Sequence, residues 1–340
     1  MDPSTETEVV IGGDVCPARL AGESLLGPLG VSRTPDLFMW TLDAALPAGT
    51  KRPGYSWIPF DPAALDELRL GKTTVAVTAA NHITDFGDAG VRETLDELAR
   101  RGIRHVGAGV DQNQAEQNLI LDLPAGRVAL LAFAETHPRV SALAAGPTAA
   151  GVRPFELDSC LRSIRAARER ADWVWVVLHW GEEFVRFPDP EQRRMAWDMV
   201  DAGASLVVAS HTHVPLGYEQ RGDATIFYGL GNFLYPPYEE ERGYQYRWHP
   251  ASRQGVLAIG RYEANRWNWQ PREVRLSHAG VPRQASHAHC PNYGELLPAD
   301  LSEYAKVYPR LRRRERMGYR LQRICFMSWQ ERAYRIRQLI

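Results

Sequence analysis

Two histidines separated by one residue, His211 and His213, close the apolar, β-branched run SLVVAS. In a continuing strand their side chains would face opposite sides of a sheet, because strand side chains alternate with a period of two. If the strand stops near Ser210, the backbone can curl and both imidazoles can converge on one centre. That arrangement suits a metal ion; the alternative is a pair of loop histidines facing solvent. Other apolar runs also end in polar residues: Asp14 after EVVIGG, Asn81 and His82 after TTVAVTAA, and His179 after WVWVVL. In open α/β sheets ligands bind beyond the carboxyl ends of the strands, so these residues point toward one crevice. Carboxylate, amide oxygen and imidazole form a mixed hard and borderline donor set, suited to Mn, Fe or Zn rather than to calcium or a thiolate centre. Six such groups exceed what one tetrahedral ion uses, whereas a pair of ions bridged by a carboxylate would use them all. Two ions a few Å apart clamp the attacking and leaving oxygens of an in-line displacement and generate hydroxide at neutral pH.

The elements that must position these residues are legible from pattern. The first two thirds of the chain alternate short apolar runs with amphipathic stretches. EVVIGGD, TTVAVTAAN, VALLAFAE, DWVWVVLHW and SLVVASH read as buried strands. DAGVRETLDELARRG reads as a helix, with Val91, Leu95 and Leu98 on one face and Gly102 as its C-terminal stop. DSCLRSIRAARERA and DPEQRRMAWDMVDAGA read likewise. Strand–helix alternation predicts an α/β protein with at least partly parallel strands. Beyond DATIFYGLGNFLY, the segment GVLAIGRYEANRWNWQPREVRL alternates like antiparallel strands around an Asn-containing turn, and is expected to complete a second sheet. Residues 279–300, rich in Pro, Gly, Ser and His, read as a linker. Residues 301–340 read as a basic helical extension with Arg310, Arg312, Arg313, Arg314, Arg316, Arg320 and Arg323. This is either a solvated or domain-packing helix face or a surface for an acidic partner or nucleic acid.

Composition excludes several classes. The chain has 340 residues, 44% of them hydrophobic, which is ample for a globular core. Lys plus Arg number 40 against 41 Asp plus Glu, so no global field draws the chain to nucleic acid or an anionic membrane. Cys16, Cys160, Cys290 and Cys325 are far apart, with no C-x-x-C pair, which argues against a zinc knuckle or a disulfide framework and fits a reducing compartment. The N-terminus has no basic and apolar leader, and no apolar run reaches about 18 residues. A cytoplasmic protein without a membrane span is therefore expected, with no nucleic-acid partner.

The order of these residues resembles the calcineurin-like metallophosphoesterases, and more closely the CapA-type family associated with poly-γ-glutamate capsule biosynthesis. GGDVCPAR, TAANHITDFGDAGVRETLDELARRGIRHVGAG, LHWGEEF, DAGASLVVASHTHVPLGYE and IFYGLGNFLY carry the resemblance over roughly residues 8 to 235, extending as far as 276. It implies a four-layer αββα sandwich over residues 1–278, with the helical C-terminal extension following the linker. It implies two divalent metal ions (Mn, Fe or Zn), Asp14 and His213 holding one and Asn81, His179 and His211 the other. The family's bridging glutamate has its nearest equivalent in WTLDAAL, which nominates Asp43, one methylene shorter. His82 would protonate a leaving group, or else serve as a structural histidine. Arg19 would contact an anionic substrate, or else pair with a surface acid such as Asp36. Cys16 is a ligand to the centre or a buried small apolar residue. Glu182 and Glu183 would orient His179 or meet substrate, with Asp85 and Glu135 as further candidates. The activity implied is metal-dependent hydrolysis of a phosphoester or similar bond in a small-molecule or peptide-like anionic substrate, in a biosynthetic pathway. Two other readings are γ-glutamyl or peptide amide chemistry at the same centre, and a non-catalytic module that binds an acidic polymer or partner.

Overall fold

A computed structural model describes residues 7–17, 34–52, 60–136, 142–239, 245–246, 250–285 and 290–326, together with residues 25, 29, 31 and 58. In chain order its strands are β1 (Thr7–Val15), β2 (Leu37–Leu42), β3 (Thr73–Val77), β4 (Arg104–Val106), β5 (Ala108–Gly109), β6 (Leu119–Leu123), β7 (Gly126–Ala134), β8 (Gly151–Val152), β9 (Trp173–His179), β10 (Leu206–Ser210), β11 (Tyr218–Arg221), β12 (Ala224–Phe227), β13 (Asn232–Leu234), β14 (Tyr238–Glu239), β15 (Gln245–Tyr246), β16 (Gln254–Glu263), β17 (Arg266–Leu276) and β18 (Pro282–Gln284). The helices are α1 (Ala64–Glu67), α2 (Gly87–Arg100), α3 (Gln112–Ala115), α4 (Leu157–Arg168), α5 (Pro190–Asp201), α6 (Tyr293–Leu296) and α7 (Leu301–Phe326).

One sheet runs β18-β17-β16-β1-β2-β3-β4, with β13 beside the end of β1; the other runs β11-β12-β10-β9-β7-β6. β1 to β4 are mutually parallel, and so are β7, β9, β10 and β12. The sheets face each other. Val128, Leu130, Trp175, Val177, Leu206 and Val208 of the second sheet join the cluster that contains Val9, Ile11, Met39 and Val75 of the first. Their neighbours Leu131, Phe133, Val174, Val176 and Val207 point the other way, into a cluster with α4 and α5. Because side chains alternate along a strand, such continuous apolar runs need cover on both faces, and the helices supply it. Val91, Leu95 and Leu98 of α2 are buried against the first cluster, and α5 starts from a capping box of Asp189 and Gln192 with Pro190 in its first turn. The α/β class and its four layers are therefore as the sequence indicates.

The β16–β17 hairpin turns through Ala264 and Asn265, at φ 52° and 61°, the two left-handed residues that a tight hairpin needs. It does not complete the second sheet. β16 pairs antiparallel with β1, from Thr7 against Tyr262 to Ile11 against Ala258, and so widens the first sheet. The physical reason is the free backbone edge of β1, whose other edge β2 occupies. From its new place the hairpin sends Trp267 and Trp269 across to Trp175 of β9, with ring centroids 5.2 and 5.4 Å away, which ties the sheets together.

In the stretch 279–300, β18 pairs with β17, and Tyr293 is buried with its hydroxyl donating to the Arg186 carbonyl. Among the described residues no helix is long and apolar enough to cross a membrane.

The joint between β1 and β13 is closely packed. Asp14 donates its N–H to the Gly231 carbonyl at 2.9 Å, and a Cβ at Gly13 would sit 1.9 Å from that oxygen. Both partners are backbone and cannot swing aside. Gly13→Ala is expected to lower stability by about 3 kcal/mol, read as a shifted midpoint in urea unfolding; an unchanged midpoint would contradict this packing.

Candidate metal centre

The carboxyl ends of five strands, from both sheets, meet at one place. Asp14 lies near the end of β1, Asp43 follows β2 directly, and Asn81 with His82 follows β3 at the start of a short 3₁₀ turn. His179 is the last residue of β9, and β10 stops at Ser210. Past that point His211 and His213 take left-handed conformations, at φ 94° and 54°. Such conformations destabilise a non-glycine residue by of order 1–3 kcal/mol and persist only where surrounding contacts enforce them. Here the His211 N–H is held by Asp14 Oδ2 at 3.1 Å. The strand's alternation is thereby broken, and the two imidazoles share one centre.

The side chains fall into two groups around Asp43. Asp14, Asp43 and His213 each bring one ligand atom within 4.8 Å of the others, a span that a small inward shift closes around one cation. His179 Nε2 lies 2.7 Å from Asn81 Oδ1 and 3.2 Å from His211 Nδ1. Asp43 stands between the groups, Oδ1 3.7 Å from His179 Nε2 and Oδ2 3.9 Å from His213 Nε2. All of these residues except Asn81 are buried.

Hydrogen bonding decides which atoms carry protons. Ser210 Oγ donates to Thr41 Oγ1 at 3.2 Å, so toward His179 it accepts, and His179 Nδ1, 3.0 Å away, bears the hydrogen. Nε2 of His179 is then a bare lone pair, facing the carbonyl-type oxygen of Asn81. Asn232 Nδ2 donates to the Ser252 carbonyl, so its Oδ1 accepts from His213 Nδ1 at 2.9 Å, and His213 Nε2 is the ring nitrogen nearer Asp43. Asp14 Oδ1 and Asp43 Oδ1 are buried with no hydrogen-bond partner among the described residues. Lone pairs that face one another in a dry site repel unless a cation lies between them. The residues thus fit divalent metal ions.

Charges follow the same logic. Burial, and then repulsion from Asp43, pushes the Asp14 carboxyl up to about 7. Burial also holds His211 down at about 3, and His179 well below the usual imidazole range, so both rings are neutral, as ligands must be. Burial opposes the charged form of His82, but Asp43 and Asp85 outweigh it, the latter through a 2.8 Å hydrogen bond to Nδ1, and raise it to about 9. Burial, then the Asp43 charge, keeps the Cys16 thiol well above its ordinary value. It is a protonated, buried sulfur rather than a thiolate.

The remaining candidates separate. Orientation of His179, one of the two roles expected of Glu182 and Glu183, falls to Ser210, whereas Glu182, paired with Arg312 and Arg316, and the exposed Glu183 both line a cavity that His211 shares. Glu135 accepts from the Gly181 N–H at 3.2 Å and does not enter the donor cluster. Asp85 braces His82. Arg19 lies outside the described residues. Sequence reasoning misses Ser210, Thr41, Asn232 and Tyr235, whose hydroxyl donates to Asp43 Oδ2 at 3.0 Å. Of these Ser210, which ends the quoted run SLVVAS, and Asn232, inside the quoted IFYGLGNFLY, have a sequence signal.

Residues 27–236 match the sequence model of a family described as "Bacterial capsule synthesis protein PGA_cap". The "PGA biosynthesis protein CapA" of Bacillus subtilis (strain 168) is 35% identical over 163 residues, covering 48% of this chain and 42% of that protein. The "Capsule biosynthesis protein CapA" of Bacillus anthracis is 35% identical over 170 residues, covering 48% and 40%. A "Probable polyglutamine synthesis accessory protein" of Mycobacterium tuberculosis is 29% identical over 189 residues, covering 53% and 49%. The chain spans less than half the length of these curated relatives. Among solved structures, the calcineurin-like phosphoesterase YfkN from Bacillus subtilis overlaps 92% of this chain and 99% of its own, with TM-score 0.43 and 9% identity. The 5'-nucleotidase precursor from Thermus thermophilus overlaps 90% and 58%, with TM-score 0.44 and 15% identity.

Ser210→Ala removes the acceptor that sets the His179 tautomer without touching a donor atom. It is expected to weaken divalent-cation affinity about 10- to 100-fold, measured by competition with a chelating dye. Wild-type affinity in that variant would show that the tautomer is set elsewhere.

Proposed function

This chain belongs to the bacterial capsule synthesis protein family, and from that footing we propose that it is a metal-dependent hydrolase of an anionic substrate. Two divalent ions would be held, one by Asp14 and His213 and the other by Asn81, His179 and His211, with Asp43 shared. The observation that carries this reading is the convergence, in one buried cluster, of the neutral His179 and His211 rings with His213 and with Asp14 and Asp43 oxygens that have no hydrogen-bond partner among the described residues. Bound there, the ions would supply Lewis-acid stabilisation of developing negative charge and a lowered pKa for water.

The chain's own residues do the rest. Ser210, Asn232 and Tyr235 hold His179, His213 and Asp43 in orientation. His82, braced at Nδ1 by Asp85, presents Nε2 for proton transfer to the leaving atom. Over one cycle a water gives its hydroxyl to the electrophile and its proton to the leaving group, with His82 as carrier. Phosphoester cleavage is the leading reaction, since two clamped oxygens and one proton donor meet its needs. Amide cleavage at a γ-glutamyl link is the second reading, favoured by relatives named for PGA biosynthesis and capsule biosynthesis.

Activity is tested with p-nitrophenyl phosphate and bis(p-nitrophenyl) phosphate against small γ-glutamyl amides. One substrate class is expected to turn over, with loss of at least about 10³-fold in His179→Ala and His211→Ala while circular dichroism stays unchanged. Exhaustive chelation is expected to abolish the same activity, and full turnover after it would end the proposal.

A further inference from the structure

The family match ends at residue 236, so α7 lies wholly beyond it. Yet α7 is fastened to the core and then reaches the rim of the metal centre. At its start Tyr304 is fully buried, its hydroxyl donating to the Pro188 carbonyl at 2.6 Å. Just before it, the Pro298 carbonyl accepts at 2.6 Å from Arg193, a buried guanidinium that also makes two 3.0 Å hydrogen bonds to Glu219. Two turns beyond Tyr304, Arg312 Nε meets Glu182 Oε2 at 2.5 Å, and Arg316 Nη1 meets Glu182 Oε1 at 3.2 Å. Tyr319 stacks on Phe184 with ring centroids 4.1 Å apart, and Phe184 stacks on His213 at 6.0 Å. Phe184 itself is held in a left-handed conformation, φ 64°, a strained position kept by this stack.

Between these walls lies a cavity of about 390 Å³, with Glu182, Glu183, Phe184 and His211 on one side and Arg316, Tyr319 and Arg320 of α7 on the other. Arg316 and Arg320 are one helical turn apart and face the same way. Glu182 offsets the first charge. Arg320 has no carboxylate partner among the described residues, so its guanidinium is open to a ligand in a cavity that His211 lines, although Glu183 on the facing wall brings the net charge of the lining back toward zero. A guanidinium offers paired N–H donors that match the two oxygens of a carboxylate or phosphate.

We propose that Arg320, with Arg316 beside it, is a substrate-selecting residue that holds a carboxylate or phosphate of the substrate in this cavity, next to the metal-site histidines. This rests on the hydrolase reading for what becomes of the bound molecule, but not for the binding itself. The helix thereby supplies recognition chemistry that the family-matched segment does not contain.

The test uses the full chain, loaded with divalent metal, and titration calorimetry with three probes: tri-γ-glutamate, glycerol 2-phosphate, and tri-γ-glutamate amidated at every carboxyl. Arg320→Glu is expected to weaken at least one anionic probe about tenfold or more and to leave the neutral probe unchanged. The anion that suffers identifies the group recognised. Arg313→Glu makes the same charge change two turns earlier on α7, at a residue that lines a separate surface groove and not this cavity, and is expected to have no effect. Equal binding by Arg320→Glu and wild type, equal weakening by Arg313→Glu, or no binding of either anion by wild type would each overturn the proposal. Arg320-dependent binding without turnover would sink the hydrolase reading alone. Turnover of either substrate class with an unchanged KM in Arg320→Glu would sink the subsite alone.

Discussion

Lone pairs that have no hydrogen to share are the constraint on which this structure turns. His179, neutral and with its hydrogen on Nδ1, turns a bare Nε2 into the site, and Asp14 Oδ1 and Asp43 Oδ1 are buried with no hydrogen-bond partner among the described residues. In a low-dielectric interior such a cluster is unfavourable by itself, and its members would separate or take up protons if the fold allowed it. The fold does not allow it. His211 and His213 are locked in left-handed backbone, Asp14 is clamped to Gly231 across a joint with no room for a side chain, and Ser210 links the second sheet to Thr41 of the first. The scaffold is strained in the sense that a bound cation would relieve, and this is the usual relation between a rigid fold and a preorganised metal site.

The architecture explains why the strain can be sustained. Parallel strands leave their carboxyl ends at one edge of each sheet, and here two such edges abut, so donors separated by about two hundred positions in sequence become neighbours. The Trp175, Trp267 and Trp269 cluster holds the sheets in register behind the site. The C-terminal helix closes the other side, so a segment that first reads as an appendage is part of the pocket's wall.

Much of this is legible in the sequence, and the remainder is hidden for identifiable reasons. The α/β alternation, α2 and its glycine stop, and the end of β10 at Ser210 follow from periodicity and end signals, because those are local properties. The polar residues at the strand ends are visible as a set, because each closes or closely follows an apolar run. Partner choice is not visible. The hairpin's pairing with β1 depends on which edge is free in three dimensions, and Ser210, Asn232 and Tyr235 are short-range neighbours only after folding. Proximity in sequence assigns Glu182 to His179, but the two arginines of α7, more than a hundred positions away, claim it. The stretch 279–300 reads as a linker by composition, although Tyr293 is buried against the core.

The most direct measurement is anomalous diffraction from crystals grown with a single divalent metal such as manganese. Two peaks flanking Asp43 are expected, one bonded to His213 Nε2 and Asp14, the other to His179 Nε2, His211 and Asn81. An electron-density map with no metal at either position, and with the Asp14 and Asp43 carboxylates satisfied by protein donors or water, would contradict a dinuclear centre.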